Sequence, residues 1–140
     1  MIRRAKISDV TNIVGLIKTG SQNGKVLFRS QDEIVANIDK FFVYVERQIV
    51  VGCCALEVYS QKLAEIRSLV VLPAYQNKGI GSKLIIKCLR AAQRLEIYQV
   101  LAVTDHGKLF RRAGFAARLD DKEPLFMNLT DWGHKRGGES

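Results

Sequence analysis

Between Leu63 and Leu84 the chain reads L-A-E-I-R-S-L-V-V-L-P-A-Y-Q-N-K-G-I-G-S-K-L, an order that few architectures accommodate. Residues 63–72 are rich in aliphatic and β-branched side chains and stop at Pro73, which cannot donate to a sheet ladder, so a strand is expected there. Residues 74–79 make a short turn. From Ile80 the apolar positions recur as Leu84, Ile85, Cys88, Leu89 and Ala92, the stripe of a helix running from Gly81 to about Leu95. A strand that empties through a glycine-bearing loop into a helix brings unpartnered backbone N–H groups together in a partial positive field. Gly79 and Gly81 have no Cβ, so an anion can reach the main chain, and that anion is most often phosphate. Two glycines at this spacing also occur in turns with only a steric purpose, so the loop alone does not separate the two.

The spacing excludes two familiar phosphate loops, G-x-G-x-x-G and G-x-x-x-x-G-K-[ST]. Q-N-K-G-I-G instead resembles the Q/R-x-x-G-x-G/A signature of the GNAT-type N-acetyltransferases, and A-E-I-x-x-L-V-V upstream extends the likeness. It is specific over residues 63–84 and looser over 1–118. The resemblance implies an α/β chain with the GNAT acetyltransferase fold: a mixed, mostly antiparallel sheet with splayed central parallel strands, flanked by about four helices. It implies acetyl-CoA as cosubstrate and no metal. Gln76, Asn77, Lys78, Gly79, Ile80, Gly81 and Ser82 would then hold the pyrophosphate. Leu69, Val70 and Val71 would face the coenzyme from the strand, with the Leu69 N–H on the thioester oxygen and Val71 pairing with the pantetheine amide.

Acetyl transfer to an amine needs a proton acceptor, because an α-amino group (pKa about 7.7–8.0) or a lysine (about 10.4) is mostly protonated at neutral pH. Glu65, a carboxylate in an otherwise apolar run, suits that task. A salt-bridged or edge-facing glutamate would look the same in sequence; the family register is what makes it the general base. Many relatives carry a tyrosine as general acid shortly before a Gly-Phe pair. Here the segment is H-G-K-L-F-R-R-A-G-F, with Phe110 in that place beside the coenzyme. A thiol with a pKa near 8.5 can leave unassisted, so the loss is tolerable, and His106 is more plausibly a surface residue or a neighbour of the coenzyme.

The segments I-R-R-A, F-R-S-x-x-E-I, F-F-V-Y, G-C-C-A-L and L-A-E-I-R-S-L-V-V together resemble the acetyltransferase domain of N-acetylglutamate synthases, especially the short stand-alone kind. That likeness implies an α-amino acid acceptor, L-glutamate foremost, and a role in arginine biosynthesis. It maps a carboxylate-binding arginine onto Arg29, with Arg67, on the same strand face as Glu65, as a second contact. For each arginine a solvated surface charge is the competing reading. The C-terminal L-F-M-N-L-T-D-W-G-H-K-R lacks the Arg-x-Ser-Lys pattern of the long synthases, and no counterpart of their amino acid kinase domain is expected. Other acceptors stay open: a polyamine, a peptide N-terminus or a lysine. So does a non-catalytic acyl-CoA-binding module.

A length of 140 residues fits one domain over residues 1–132, with 133–140 as a tail. No apolar run approaches the ~20 residues that span a bilayer, and Met1 leads straight into patterned sequence, so no membrane partner and no secretory signal are expected. A cytoplasmic enzyme follows, and a homodimer is compatible with it. Cys53, Cys54 and Cys88 suit neither zinc nor a disulfide framework and read as buried thiols. The net charge of +8 is spread without basic-aromatic interleaving, so no nucleic-acid partner is expected.

Around the central motif the pattern predicts a strand over 2–6, a helix capped by Ser8 and ending before Gly20, and a loop over 20–28. A capping box at Ser30-Gln31-Asp32-Glu33 then starts a second helix at Gln31. Strands are expected at 41–46, 49–59 and 97–103, a short helix at 105–113 ending on Gly114, and last strands at Phe115 and at 125–129.

Overall fold

The computed structural model describes residues 1–22, 29–130 and 132. Five strands form one sheet in sequence order: β1 (Ile2–Arg4), β2 (Phe41–Glu46), β3 (Ile49–Val58), β4 (Leu63–Val71) and β5 (Gln99–Ala102). The first four pair antiparallel. The β2–β3 turn places Arg47 and Gln48 at φ 49° and 67°, which suits the twist of a two-residue hairpin. β5 returns parallel to β4 because helix α3 (Ile80–Arg94) lies between them in the chain.

Each sheet face has its own apolar cluster. On one side Ile80, Leu84, Ile85, Cys88 and Ala92 of α3 pack on Phe42, Cys54, Leu56, Ala64 and Ile66. On the other, α1 (Val10–Gln22) and α2 (Gln31–Ala36) bring Val10, Ile13, Ile17 and Ile34 against Phe41, Val43, Cys53, Ala55 and Val70. Alternation along each strand divides the residues between the faces. Truncating a fully buried side chain such as Leu84 to alanine costs about 2–5 kcal/mol.

Two irregularities make room for a site. The β3–β4 register shifts between Cys53 and Ala55, and opposite them Ser68 takes a left-handed φ of 56°, so β4 carries a bulge. β5 pairs only with residues 63–66 of β4, so β4 runs on to Val71 with its β5-side edge open among the described residues. The parallel strands therefore part at the bulge.

Several expectations are corrected at their ends. Ser8 does not cap α1. It sits inside a one-turn 3-10 helix, and Asp9 accepts the Lys6 N–H at 2.7 Å in its place. α1 passes Gly20 and reaches Gln22, while the rest of the expected 20–28 loop lies outside the described residues. Ser30 caps α2 by accepting from the Glu33 N–H at 3.1 Å, but the Glu33 carboxylate is held by Arg29, so the box closes on one side only. Neither last strand forms. Gly114, at φ 108°, ends helix α4 (Gly107–Arg112), and Phe115 turns back edge-on to Phe110 at 5.2 Å between ring centroids. Leu119 and Lys122 close a small turn, and Leu125, Phe126, Met127 and Leu129 are exposed. Strand propensity without a ladder partner does not make a strand. The expected 133–140 tail lies outside the described residues.

Candidate active site

The loop after β4 turns through a 3-10 segment, Pro73–Tyr75, then through left-handed Asn77 (φ 62°) and Gly79 (φ 83°) into α3. The first helical bond runs from the Lys83 N–H to the Gly79 carbonyl at 3.1 Å, so the N–H groups of Ile80, Gly81 and Ser82 precede the ladder without an intrahelical acceptor. Among the described residues no side chain caps them. A Cβ on Gly79 would meet nothing within 4 Å, so backbone conformation is what requires glycine there. At Gly81 the reason is space: a Cβ would stand 3.0 Å from Leu109 Cδ2.

These amides open into a cleft of about 750 Å³ between the end of β4, the loop and α4. Of the residues expected to meet the coenzyme, Leu69, Val71, Gln76, Asn77, Gly79, Ile80, Gly81 and Ser82 line it. Three do not. The Lys78 ammonium lies over the Tyr75 ring at 5.4 Å, Val70 is buried in the α1–α2 cluster, and Phe110 is buried with the α3-side core. Gln76 turns inward, its Nε2 donating to the Val71 carbonyl at 2.9 Å, which braces the loop on the strand it leaves. Asp105, His106, Lys108, Arg111 and Arg112 also line the cleft. Sequence reasoning missed the three cations, although spacing of three and four residues puts them together on a short helix.

The open edge of β4 also points into this region. Ladder groups alternate sides along a strand, and Leu72 donates to the Val51 carbonyl of β3 at 2.8 Å. The main-chain groups of Val71, and by the same alternation those of Leu69, therefore face the edge that β5 has left. An extended amide ligand could pair there as an added strand. The cradle, the cationic rim and the strand edge, on which the Val71 carbonyl also accepts from Gln76, suit a long diphosphate thioester.

Glu65 and Arg67 point the other way. Ala64 and Ile66 pack under α3, so the alternate positions face α1 and α2, where Glu65 stands opposite Glu57 and Arg67 opposite Ala55. The Tyr59 hydroxyl donates to Glu65 Oε1 at 2.6 Å, and that bond, with burial second, raises the tyrosine pKa above its ordinary value. Glu57 accepts from Lys40 Nζ at 2.6 Å and lies 3.8 Å from Arg67. Arg29 is not a solvated charge: it is 7% exposed, with its Nε on Glu33, its guanidinium over Phe41 and one amino group donating to Ser68 Oγ at 3.0 Å. It therefore reaches the bulge from the α1–α2 side. Coenzyme cleft and carboxylate face lie on opposite sides of the sheet, joined where β4 and β5 part.

The family profile described as an acetyltransferase (GNAT) domain matches residues 37–117. The chain belongs to the GNAT acetyltransferases. It is an acetyl-CoA-dependent N-acetyltransferase with the GNAT fold. It is 36% identical over 114 residues to an uncharacterized N-acetyltransferase of Chlorobaculum tepidum, covering 81% of this chain and 74% of that one. It is 34% identical over 119 residues to an amino-acid acetyltransferase of Mycobacterium tuberculosis, covering 82% and 67%. Among solved structures it superposes with a TM-score of 0.81 and 26% identity on N-acetylglutamate synthase from Neisseria gonorrhoeae complexed with coenzyme A and N-acetyl-glutamate, covering 99% of this chain and 32% of that one. Several curated relatives named amino-acid acetyltransferase are likewise longer, and the chain spans about 30% of their length.

Proposed function

We propose that residues 1–132 form one catalytic domain that transfers acetyl from acetyl-CoA to the α-amine of a small amino acid, L-glutamate foremost. The observation that carries this is Arg29: a buried guanidinium delivered to the β4 bulge, on the face that carries Glu65. Glu33 and Ser68 each take one donor of this guanidinium and compensate its burial, and the N–H groups that are left can give a planar carboxylate two parallel bonds. The names of the relatives support the same acceptor class.

The roles follow from position. The N–H groups of Ile80, Gly81 and Ser82, with Lys108, Arg111 and Arg112 nearby, receive the pyrophosphate. The open edge at Val71 pairs with the pantetheine arm, and the Leu69 N–H is directed at the thioester oxygen, which gains charge in the tetrahedral intermediate. Glu65 takes the ammonium proton and frees the amine to attack. Arg29 and Arg67 hold the acceptor carboxylates. On this reading the enzyme serves arginine biosynthesis in the cytoplasm, takes a small-molecule acceptor and needs neither nucleic acid nor membrane.

One observation favours a second reading, a cationic acceptor such as a peptide N-terminus, lysine or polyamine: Glu65 holds no ion pair among the described residues, so its carboxylate is left to an incoming cation. A thiol-release screen of amino acids and amines with acetyl-CoA separates the two. Glutamate should be the fastest acceptor, and Glu65→Gln should lower its turnover roughly 10²–10⁴-fold. Faster release with diamines or peptides would overturn the amino-acid reading, and normal turnover in Glu65→Gln would overturn the base.

A further inference from the structure

Two carboxylates face each other across β3 and β4, yet their surroundings differ sharply. Glu57 is taken up by cations, Lys40 at 2.6 Å and Arg67 at 3.8 Å. Glu65, directly opposite, holds no ion pair among the described residues, and its side-chain hydrogen bond comes from a neutral donor, the Tyr59 hydroxyl at 2.6 Å. A carboxylate bound to a cation is tied to its partner in the charged form. One held by a single hydroxyl keeps its second oxygen for an incoming proton. Tyr59 sits just past the end of β3, with its backbone N–H on the Leu63 carbonyl at 3.0 Å, so the turn fixes where the ring projects. A donor–acceptor distance of 2.6 Å falls in the range of charge-assisted O–H···O⁻ bonds.

We propose that Tyr59 is the positioning residue of the catalytic base: its hydroxyl pins Glu65 Oε1 and leaves Oε2 to the acceptor ammonium. The inference rests on the reading of Glu65 as the base. In the step it serves, Oε2 takes one ammonium proton. The amine lone pair then forms the C–N bond, the C–S bond breaks, and the nitrogen's second proton is the one that balances the departing thiolate. Tyr59 loses and gains nothing. It holds one oxygen still while the other works, and its half-exposed ring borders the solvent on the acceptor side. This tyrosine does not replace the general acid missing at Phe110, because its hydroxyl is bonded to the base, on the sheet face away from α3.

The test is a double-mutant cycle of Tyr59→Phe and Glu65→Gln, read with the acceptor that gives the fastest thiol release. Tyr59→Phe should lower kcat about tenfold, the loss expected from one hydrogen bond to a charged group. The Michaelis constant for acetyl-CoA should stay within roughly twofold, because the coenzyme cradle is on the other sheet face. In the Glu65→Gln background the tyrosine change should add almost nothing. A slow Glu65→Gln beside a Tyr59→Phe with full turnover would overturn the role of Tyr59 alone. Losses that simply multiply in the double variant would overturn it too. Full turnover in Glu65→Gln would overturn the base and, with it, its positioning residue.

Discussion

Arg29 shows what a single residue can and cannot reveal before folding. In sequence it is equally a carboxylate contact or a solvated charge; in the structure it is buried over Phe41 and bonded to Ser68. Arg29→Lys keeps the charge but loses the planar fork, so the Michaelis constant for the amino-acid acceptor should rise by at least about tenfold while that for acetyl-CoA barely moves. Equal rises in both would argue against an acceptor contact. Glu65 stands out in the sequence as a carboxylate in a largely apolar strand, but only the family resemblance makes it the expected base. Tyr59 was not legible, because its bond to Glu65 spans a turn whose path no periodicity predicts. The cysteines were legible as buried thiols. Burial pushes the Cys53 thiol up to about 12, and the contact with Cys88, followed by burial, raises that of Cys54. A raised thiol pKa means the reactive thiolate is suppressed throughout the neutral range. Native protein should therefore resist iodoacetamide at pH 8, and three alkylations should appear in denaturant by mass spectrometry. Rapid native alkylation of Cys53 would contradict its burial.

At the level of elements, the strand–turn–helix unit was readable in full. Pro73 closes the strand, the glycines mark the turn, and the apolar stripe of α3 matches its buried face almost residue for residue. The C-terminal segment was misread for a physical reason: L-F-M-N-L has strand character, but a strand exists only beside another, and the bonds following α4 turn the chain away. The two glycines predict different outcomes. Gly79→Ala forces an L side chain into φ 83° with open space around it, costing about 1 kcal/mol and distorting the cradle, so the thermal shift on adding acetyl-CoA should shrink. Gly81→Val meets Leu109 at the mouth of the same cleft and should abolish that shift. A full shift in Gly81→Val would remove the pyrophosphate assignment. At the other end of the sheet, Arg3 holds the Asp9 carboxyl below its ordinary value of 3.8, against the opposing effect of burial. A depressed carboxylate adds stability above that value and loses it as pH falls through the folded one. Asp9→Asn should therefore flatten the fall in melting temperature between about pH 5 and pH 2.

Across the whole molecule, the sheet works as a partition. On the proposed reading coenzyme enters from the α3 and α4 side, where the cleft lies, acceptor from the α1 and α2 side, and the two meet at the gap beyond residue 66 of β4. Part of the net charge of +8 lies here, since Lys108, Arg111 and Arg112 line the cleft together with Asp105. Phosphates drawn to such a rim should bind with salt-dependent affinity, because exposed charges are screened over about 8–10 Å at physiological ionic strength. Backbone amides and the strand edge contribute short-range bonds that salt affects far less. The two contributions can thus be separated by titrating acetyl-CoA calorimetrically between low and moderate salt. Wild-type affinity should fall several-fold with added salt. The triple variant Lys108→Gln, Arg111→Gln, Arg112→Gln should bind more weakly at low salt and lose most of that dependence, and its kcat at saturating coenzyme should stay near wild type, because nothing on the carboxylate face has changed. A triple variant with the wild-type salt slope would mean that the rim cations do not meet the coenzyme phosphates.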